Sequence, residues 1–210
     1  MNDNFWDKEM GDDEHAATYM DSYGEGPGSE TRLTIGSFIN DNETVLDVGC
    51  GPGWNLEHFL RHGPKILNYK GVDYSQRFIR VCKNRYGGKG LFELQDARHL
   101  KEPDGSWDVV LLQDVLDHTP GYKEPVTEAL RVARKRVIIS FWRGVMRDDF
   151  EDRHEDVIRD DGNDGWTGEY SRDLWEKWLD SLGYYWHETQ SSLEANRWHR
   201  FYIIDKEDLK

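Results

Sequence analysis

The sequence has few cysteines and lacks any long apolar segment. Cys50 and Cys82 are its only cysteines among 210 residues, and their spacing matches no metal-binding pattern. Two such thiols without a signal peptide are typical of a reducing, cytoplasmic setting. No apolar run approaches the roughly 18 residues that a membrane-spanning helix needs. We therefore predict a cytoplasmic location, no membrane span and no cysteine-based metal site.

Positive charge is also scarce. The 27 lysine and arginine residues are outnumbered by 41 aspartate and glutamate residues, which gives a net charge of −14. Such a chain repels a phosphate backbone unless its cations cluster strongly. The densest cationic run, residues 131–136, is typical of a helix end, where basic side chains complement the helix dipole, followed by a buried strand. We therefore expect no nucleic-acid partner.

The sequence does contain a regular alternation of strand-like and helix-like segments. Strands are predicted at 44–48, 69–73, 91–94, 108–112 and 136–141, and helices at 54–62, 75–86 and 123–134. A helix capped by Ser171 and two strands, 184–189 and 198–204, follow. This order predicts an α/β fold with a Rossmann-like, doubly wound seven-stranded sheet, mostly parallel, with an antiparallel C-terminal hairpin. At this length we expect one domain, residues 29–210.

Two segments fall outside that alternation. Residues 1–28 are polar and acidic, carry scattered aromatic side chains and end in a glycine-rich turn, so we expect a loosely helical arm. Residues 143–169 are polar and acid-rich, with few apolar anchors. A loop of that length inside a compact domain is usually functional or contains a short helix. We predict that the arm and the insertion at about 143–169 act as lids over a binding site.

A glycine-rich loop follows the first predicted strand, in VLDVGCGPGW, residues 45–54. Gly49, Gly51 and Gly53 let the backbone approach a ligand closely, and the next helix offers unpaired N–H groups. The spacing differs from the G-x-G-x-x-G pattern of dinucleotide-binding proteins. Asp47 would repel a pyrophosphate at this place, whereas it would tolerate a ligand with a positive charge. The loop therefore favours a cationic ligand.

Two further acids follow the next two strands. Asp73 ends the second strand, where a carboxylate can accept hydrogen bonds from paired ribose hydroxyls. Asp96 follows the third strand; it could accept from the exocyclic amine of adenine while the Ala97 N–H meets a ring nitrogen. Taken singly, each acid could be a helix cap or a turn residue. Together they lie at the carboxyl edge, where open α/β sheets bind ligands.

Four ordered segments, VLDVGCGPGW, YKGVDYS, LQDARHLKEPDGSWDVVLLQDVLDH and RVIISFW, resemble the class I S-adenosylmethionine-dependent methyltransferases. The resemblance is closest to the small-molecule, ubiquinone-biosynthesis-like branch. It implies S-adenosylmethionine as cofactor, S-adenosylhomocysteine as product, and a last strand antiparallel between its neighbours. The implied roles are methionine binding by Asp47 and the loop, ribose binding by Asp73, adenine binding by Asp96 and Ala97, and base stacking by Tyr74. The full predicted cofactor set is Tyr19, Asp47, Gly49, Cys50, Gly51, Gly53, Asp73, Tyr74, Ser75, Asp96, Ala97, Arg98 and Gln113, the last beside the methionine.

The methyl acceptor is less defined. We predict transfer to an oxygen or nitrogen of a small molecule; the alternatives are an RNA or protein acceptor, a cofactor-binding homologue without catalysis, and a nicotinamide oxidoreductase. His118 and His154 are candidate bases, although a base is needed only where the acceptor must lose a proton. Acids beside His154 could suggest a cation site, but such loop acids are usually solvated, and we predict no metal. The predicted substrate pocket is Tyr23, Trp142, Trp166 and Tyr170. The oligomeric state stays open.

Overall fold

The computed structural model describes residues 4–19, 29–141, 155–163, 165–190 and 199–209. They form a seven-stranded sheet in the order β3-β2-β1-β4-β5-β9-β8 and a separate hairpin of β6 and β7. The strands are β1 Thr44–Val48, β2 Asn68–Asp73, β3 Leu91–Leu94, β4 Trp107–Gln113, β5 Ala133–Phe141, β6 Val157–Gly162, β7 Gly165–Glu169, β8 Tyr184–Gln190 and β9 Arg200–Leu209. The helices are α1 Phe5–Met10, α2 Asp13–Thr18, α3 Glu30–Ser37, α4 Trp54–Arg61, α5 Gln76–Tyr86, α6 Lys123–Val132 and α7 Arg172–Ser181.

The centre of the large sheet is parallel. β1 pairs in parallel with β2 and β4, β2 with β3, and β4 with β5. β9 runs antiparallel to both of its neighbours, β5 and β8. This confirms the predicted Rossmann-like sheet with its antiparallel C-terminal strands.

Apolar side chains cover both faces of the sheet because successive strand residues point to opposite sides. Leu46, Val110 and Val137 belong to one buried cluster, which α6 and α7 cover. Val45 and Val109, one position earlier, belong to the other cluster, under α3, α4 and α5. Strands buried on both faces explain the continuous apolar runs in the sequence. The arrangement leaves the strand ends free to form a site.

The N-terminal arm is helical, as expected, over the part that the structure describes. Met10 of α1 and Ala16 of α2 pack against Phe78 and Val81 of α5 in a small third cluster. Asn4 and Asp12 begin the two short helices by accepting hydrogen bonds from backbone N–H groups. The glycine-rich turn lies in residues 20–28, outside the described residues. The arm is thereby attached beside the carboxyl end of β2.

The second half of the 143–169 insertion differs from the expected loop or short helix. Residues 157–162 and 165–169 form the paired strands β6 and β7, and Asn163 has a φ of 53°. Most of β6 is exposed, so its sequence carries none of the apolar alternation by which a half-buried strand is recognised. The first half, residues 142–154, lies outside the described residues. Of the described helices, none is both long enough and apolar enough to cross a membrane.

Candidate active site

A cavity opens at the carboxyl ends of β1, β2 and β4. The glycine loop forms its floor, the residues after β2 and β3 form one side, and the residues after β4 form the other. The arm and the hairpin contribute its outer rim. Its lining consists of Trp6, Tyr19, Arg32, Val48, Gly49, Cys50, Gly51, Pro52, Trp54, Asn55, Asp73, Tyr74, Phe78, Gln95, Asp96, Ala97, Arg98, Gln113, Asp114, Val115, His118, Thr119, Pro120 and Trp166.

The three loop glycines all have positive φ angles, but their surroundings differ. A Cβ on Gly49 would overlap Val115, and one on Gly53 would lie 3.0 Å from the Cys82 sulfur. A Cβ on Gly51, where φ is 51°, would meet no atom within 4 Å. Gly49 and Gly53 thus allow the protein's own packing, whereas Gly51 leaves open space in the cavity for a ligand to approach the backbone. Gly53 does not line the cavity.

Asp73 holds the junction between the glycine loop and β2. Its Oδ2 accepts a hydrogen bond from the Gly51 N–H at 2.8 Å, and its Oδ1 accepts from the Ser75 N–H at 2.8 Å. Burial raises the pKa of Asp73 to about 6, and the nearby Asp7 carboxylate acts in the same direction. Ser75 itself is fully buried and caps α5 rather than lining the cavity. Asp73 therefore offers a fixed acceptor to a ligand.

Asp96 and Arg98 form a charged pair that lines the cavity. Arg98 donates to both carboxylate oxygens of Asp96, through Nε at 3.0 Å and Nη2 at 2.6 Å. Burial opposes ionisation, but these bonds hold the pKa of Asp96 below its usual value. Asp96 remains partly exposed, with 29% of its side chain accessible. Ala97 and the partly exposed Tyr74 also line the cavity, and their assignment to adenine stays a prediction.

The predicted position of Asp47 is wrong. Its side chain is fully buried below the loop and does not reach the cavity wall. It accepts hydrogen bonds from the Tyr69 hydroxyl at 2.5 Å and from Asn55 Nδ2 at 3.1 Å. Burial raises its pKa to about 6. Asp47 therefore braces the start of α4 through Asn55, and only its neighbours contact the cavity.

Gln113, at the end of β4, lines the cavity, and its place beside the methionine part stays a prediction. It is 9% exposed, and its Oε1 has no hydrogen-bond partner among the described residues. A buried carbonyl oxygen without a partner costs roughly 1–3 kcal/mol. A ligand with a hydrogen-bond donor at this place would remove that cost. The oxygen is therefore available to a hydrogen-bond donor in the cavity.

Aromatic rings close the outer end of the cavity. Trp6 of the arm lies edge-on to His118 at 4.9 Å between ring centroids and to Tyr19 at 6.0 Å. The Nδ1 of His118 is 3.4 Å from the backbone oxygen of Trp166 in the hairpin. His118 therefore joins the arm to the hairpin. Trp166 lines the cavity as predicted, together with these three rings.

The other predicted pocket residues lie elsewhere. Tyr170 is fully buried in the core, where its hydroxyl donates to the Leu116 oxygen at 2.7 Å, so its assignment to the pocket is wrong. Tyr170 follows β7 directly and is therefore next to the insertion in sequence, but its side chain packs into the core instead of facing the cavity. Tyr23, Trp142 and His154 lie outside the described residues. Within the described part of the chain, no three His, Cys, Asp or Glu side chains are arranged to hold a metal.

The sequence prediction missed two cavity residues that carry charge. Arg32 of α3 is 5% exposed, donates to Ser29 Oγ at 3.0 Å, and lies 5.5 Å from the ring centroid of Trp54. Asp114 directly follows Gln113 and has a φ of 55°. The sequence offered one signal for Arg32: it is an arginine on a helix whose other residues follow a core-packing pattern. Arginine is rarely buried at such a place without a partner. No pattern along the chain distinguishes Asp114 from its acidic neighbours.

Comparison with known proteins agrees with this geometry. Residues 46–141 match a methyltransferase domain family. Among curated proteins, ajmaline N-methyltransferase of Rauvolfia serpentina is 28% identical over 125 residues, which are 55% of this chain and 42% of that protein. The chain thus spans less than half the length of that relative.

Solved structures share the fold. A methyltransferase from Haloferax volcanii, solved in complex with the Trm112 methyltransferase activator, superposes with a TM-score of 0.72 at 12% identity, over 98% of this chain and 99% of that one. Phosphoethanolamine N-methyltransferase 2 of Haemonchus contortus, with S-adenosylmethionine bound, gives a TM-score of 0.67 at 14% identity, over 96% of this chain and 59% of that one. At these identities the likeness shows the fold.

The solved structures therefore share the fold of this chain, and residues 46–141, somewhat less than half of the chain, match the methyltransferase domain family. The cavity offers an open glycine and two hydrogen-bond acceptors, the fixed carboxylate of Asp73 and the buried amide oxygen of Gln113.

Proposed function

We propose that this protein transfers a methyl group from S-adenosylmethionine to an oxygen or nitrogen atom of a small molecule. The observation that carries the proposal is the meeting of Asp73, Gly51 and Gln113 in one cavity. S-adenosylmethionine supplies a methyl group on a positively charged sulfur. An acidic cavity without a phosphate-binding glycine pattern suits such a ligand better than it suits a dinucleotide.

Each end of the cavity holds a different part of the cofactor in this proposal. Asp73 accepts hydrogen bonds from the ribose hydroxyls, while Asp96, Ala97 and Tyr74 contact adenine. The oxygen of Gln113 accepts from the amino group of the methionine part. Arg32, buried beside the loop, pairs with the methionine carboxylate. The mutual positions of these residues follow the strand order β3, β2, β1, β4.

The outer rings define the acceptor side. Trp6, Tyr19 and Trp166 surround the cavity opposite the glycine loop, and they come from the arm and the hairpin. We propose that these two segments form the lid of a single domain spanning residues 29–210. Aromatic walls favour a planar or partly apolar acceptor, and a closed lid excludes water and aligns the acceptor with the methyl group. We also propose that the protein is located in the cytoplasm.

The function is tested by methyl transfer from labelled S-adenosylmethionine to a metabolite extract, with mass spectrometry of the labelled products. We expect a small molecule that gains one methyl group, and no labelled RNA or protein in parallel incubations. The control is Asp73→Ala, which we expect to reduce labelling at least tenfold when the concentration of S-adenosylmethionine is limiting. Label appearing only in macromolecules would contradict the proposed acceptor class. Tighter calorimetric binding of a nicotinamide dinucleotide than of S-adenosylmethionine would contradict the proposed reaction.

A further inference from the structure

Asp114 occupies an unusual position in the cavity wall. Asp114 follows β4 directly. Its backbone φ of 55° lies in the left-handed region, which residues other than glycine rarely adopt. Such a conformation persists where the surroundings hold it, and it often occurs at functional sites. The Asp114 N–H donates to the Ser140 oxygen at 3.1 Å, and Asp114 Oδ1 accepts from Ser140 Oγ at 2.7 Å. These two hydrogen bonds to Ser140 of β5 therefore fix the backbone and the carboxylate of Asp114 at the cavity wall.

Three elements of the fold hold that carboxylate in its charged form. His199, 2% exposed and directly before β9, places Nε2 3.6 Å from Asp114 Oδ2. Arg32 faces Asp114 from α3, and Ser140 donates from β5. Burial opposes ionisation, but His199, Ser140 and Arg32 outweigh it and lower the pKa of Asp114. The side chain is nevertheless 15% exposed and lines the cavity, so the charge is available to a ligand.

The strand order places Asp114 on the acceptor side. Asp96 follows β3 and Asp73 follows β2, so the nucleoside end of the cavity lies on that side of the glycine loop. Gln113 and Asp114 lie on the opposite side, at the end of β4 and next to β5. The sulfur that carries the methyl group joins C5′ of the ribose to the methionine chain. With the ribose at Asp73 after β2 and the methionine amino group at Gln113 after β4, the sulfur lies between these two strand ends, and Asp114 borders it on the β4 side. An acceptor that approaches from that side passes Asp114.

We propose that Asp114 is the carboxylate that binds the methyl acceptor, that the acceptor is a primary or secondary amine, and that His199 and Ser140 are positioning residues. This inference rests on the proposed function and names its substrate class. A carboxylate that is held ionised is a weak base, so it is poorly suited to deprotonate an alcohol. It is well suited to bind an N–H group of the ammonium form, and the amine attacks through its lone pair once one proton has passed from the ammonium to water. The aromatic rim formed by Trp6 and Trp166 also favours an amine, since its protonated form is attracted to ring faces.

The chemical step balances without a further reagent. The lone pair of the acceptor nitrogen forms the new bond to the methyl carbon. The bond from that carbon to sulfur breaks, and its electron pair stays on sulfur as the sulfonium becomes a neutral thioether. The methylated nitrogen carries the positive charge until one of its protons leaves to water. Asp114 aligns the nitrogen by an N–H···O contact and offsets the charge that develops on it.

The test compares matched amines and alcohols as acceptors for the full chain. The probes are 2-phenylethylamine with 2-phenylethanol, and tryptamine with tryptophol, each with labelled S-adenosylmethionine. We expect methylation of the amines, favoured at least tenfold over the alcohols in kcat/KM. Asp114→Asn should reduce kcat/KM for the amines by about a hundredfold. Asp104→Asn, at a side chain that is 81% exposed, is the matched control and should leave turnover unchanged.

Two further readouts separate this inference from the proposed function. S-adenosylhomocysteine should bind Asp114→Asn within about threefold of its affinity for the wild type, which shows a folded protein with an intact cofactor site. His199→Gln should raise KM for the amines at least tenfold while changing kcat less, because Asp114 loses the neighbour that holds its carboxylate. Equal methylation of alcohols, or unchanged amine turnover by Asp114→Asn, would overturn the inference. If the wild-type protein does not bind S-adenosylmethionine, the proposed function itself is overturned.

Discussion

Replacing Asp73 by alanine tests the cofactor site most directly. An ionised carboxylate has roughly four acceptor positions, and the backbone N–H groups of Gly51, Ser75 and Tyr74 interact with that of Asp73. The capacity that is left can accept from the ribose hydroxyls, and a hydrogen bond to a charged group contributes about 1.5–3 kcal/mol. Water would partly replace the lost carboxylate in the alanine variant. We therefore expect a loss of about 1.4–3 kcal/mol, which is roughly 10- to 150-fold weaker binding of S-adenosylmethionine.

Isothermal titration calorimetry with S-adenosylmethionine and S-adenosylhomocysteine measures this loss. Asp73→Asn keeps one acceptor oxygen and the side-chain volume but removes the charge, so its affinity should lie between those of the wild type and the alanine variant. Asp104→Asn, on the exposed surface, should bind as the wild type does. Thermal denaturation of each variant checks that the loop and α5 still fold. A folded Asp73→Ala protein with wild-type affinity would refute the ribose assignment and the reasoning built on it.

Three more predictions concern the same cavity. Because the pKa of Asp73 is about 6 and the ribose hydroxyls bind its ionised form, the dissociation constant should rise below pH 6, by up to about tenfold per pH unit; calorimetry should show this slope in the wild type and not in Asp73→Asn. Asp7 accepts from Ser75 Oγ at 2.7 Å and from the Arg77 N–H at 2.9 Å, so Asp7→Ala should detach the arm and weaken cofactor binding about tenfold. Asp7→Asn keeps the acceptor and removes a charge beside Asp73, which should move the midpoint of the pH dependence downward; an upward shift would contradict this. His118→Phe keeps a ring between the arm and the hairpin, so its kcat should stay within about threefold of wild type, whereas a hundredfold loss with unchanged binding would identify a base.

The sheet could be predicted because its signals are local. Runs such as Val109–Leu112 are buried on both faces and therefore continuous in sequence, and the glycine loop marks the first strand–helix turn. The carboxyl edge of a parallel sheet collects the residues after each strand, so Asp73 and Asp96 could be assigned to one wall. The β6–β7 hairpin carried no such signal, since neither its exposed strand nor its turn shows an apolar period.

The details of the site depended on contacts between distant residues. Asp47 was expected to face the ligand, but the hydroxyl of Tyr69 on the neighbouring strand lies 2.5 Å from its carboxylate and fixes it below the loop. That partner is 22 residues away and could not be read from the chain. Arg32 reaches the cavity only because α3 packs against α4. Ser140 and His199 approach Asp114 through the pairing of β4 with β5 and of β5 with β9.

The charges of the cavity suggest how the arm and the cofactor are coupled. Asp96 is balanced by Arg98, and Asp114 is balanced by His199 and Arg32. Asp73 instead has the carboxylate of Asp7 as a neighbour, and burial and this like charge both raise its pKa. Closing the arm therefore costs electrostatic energy unless donors approach Asp73. Two ribose hydroxyls supply such donors, and the positive charge near sulfur adds attraction. Binding of the cofactor should therefore stabilise the closed arm, so S-adenosylhomocysteine should slow hydrogen exchange in α1 of the wild type more than in Asp7→Asn.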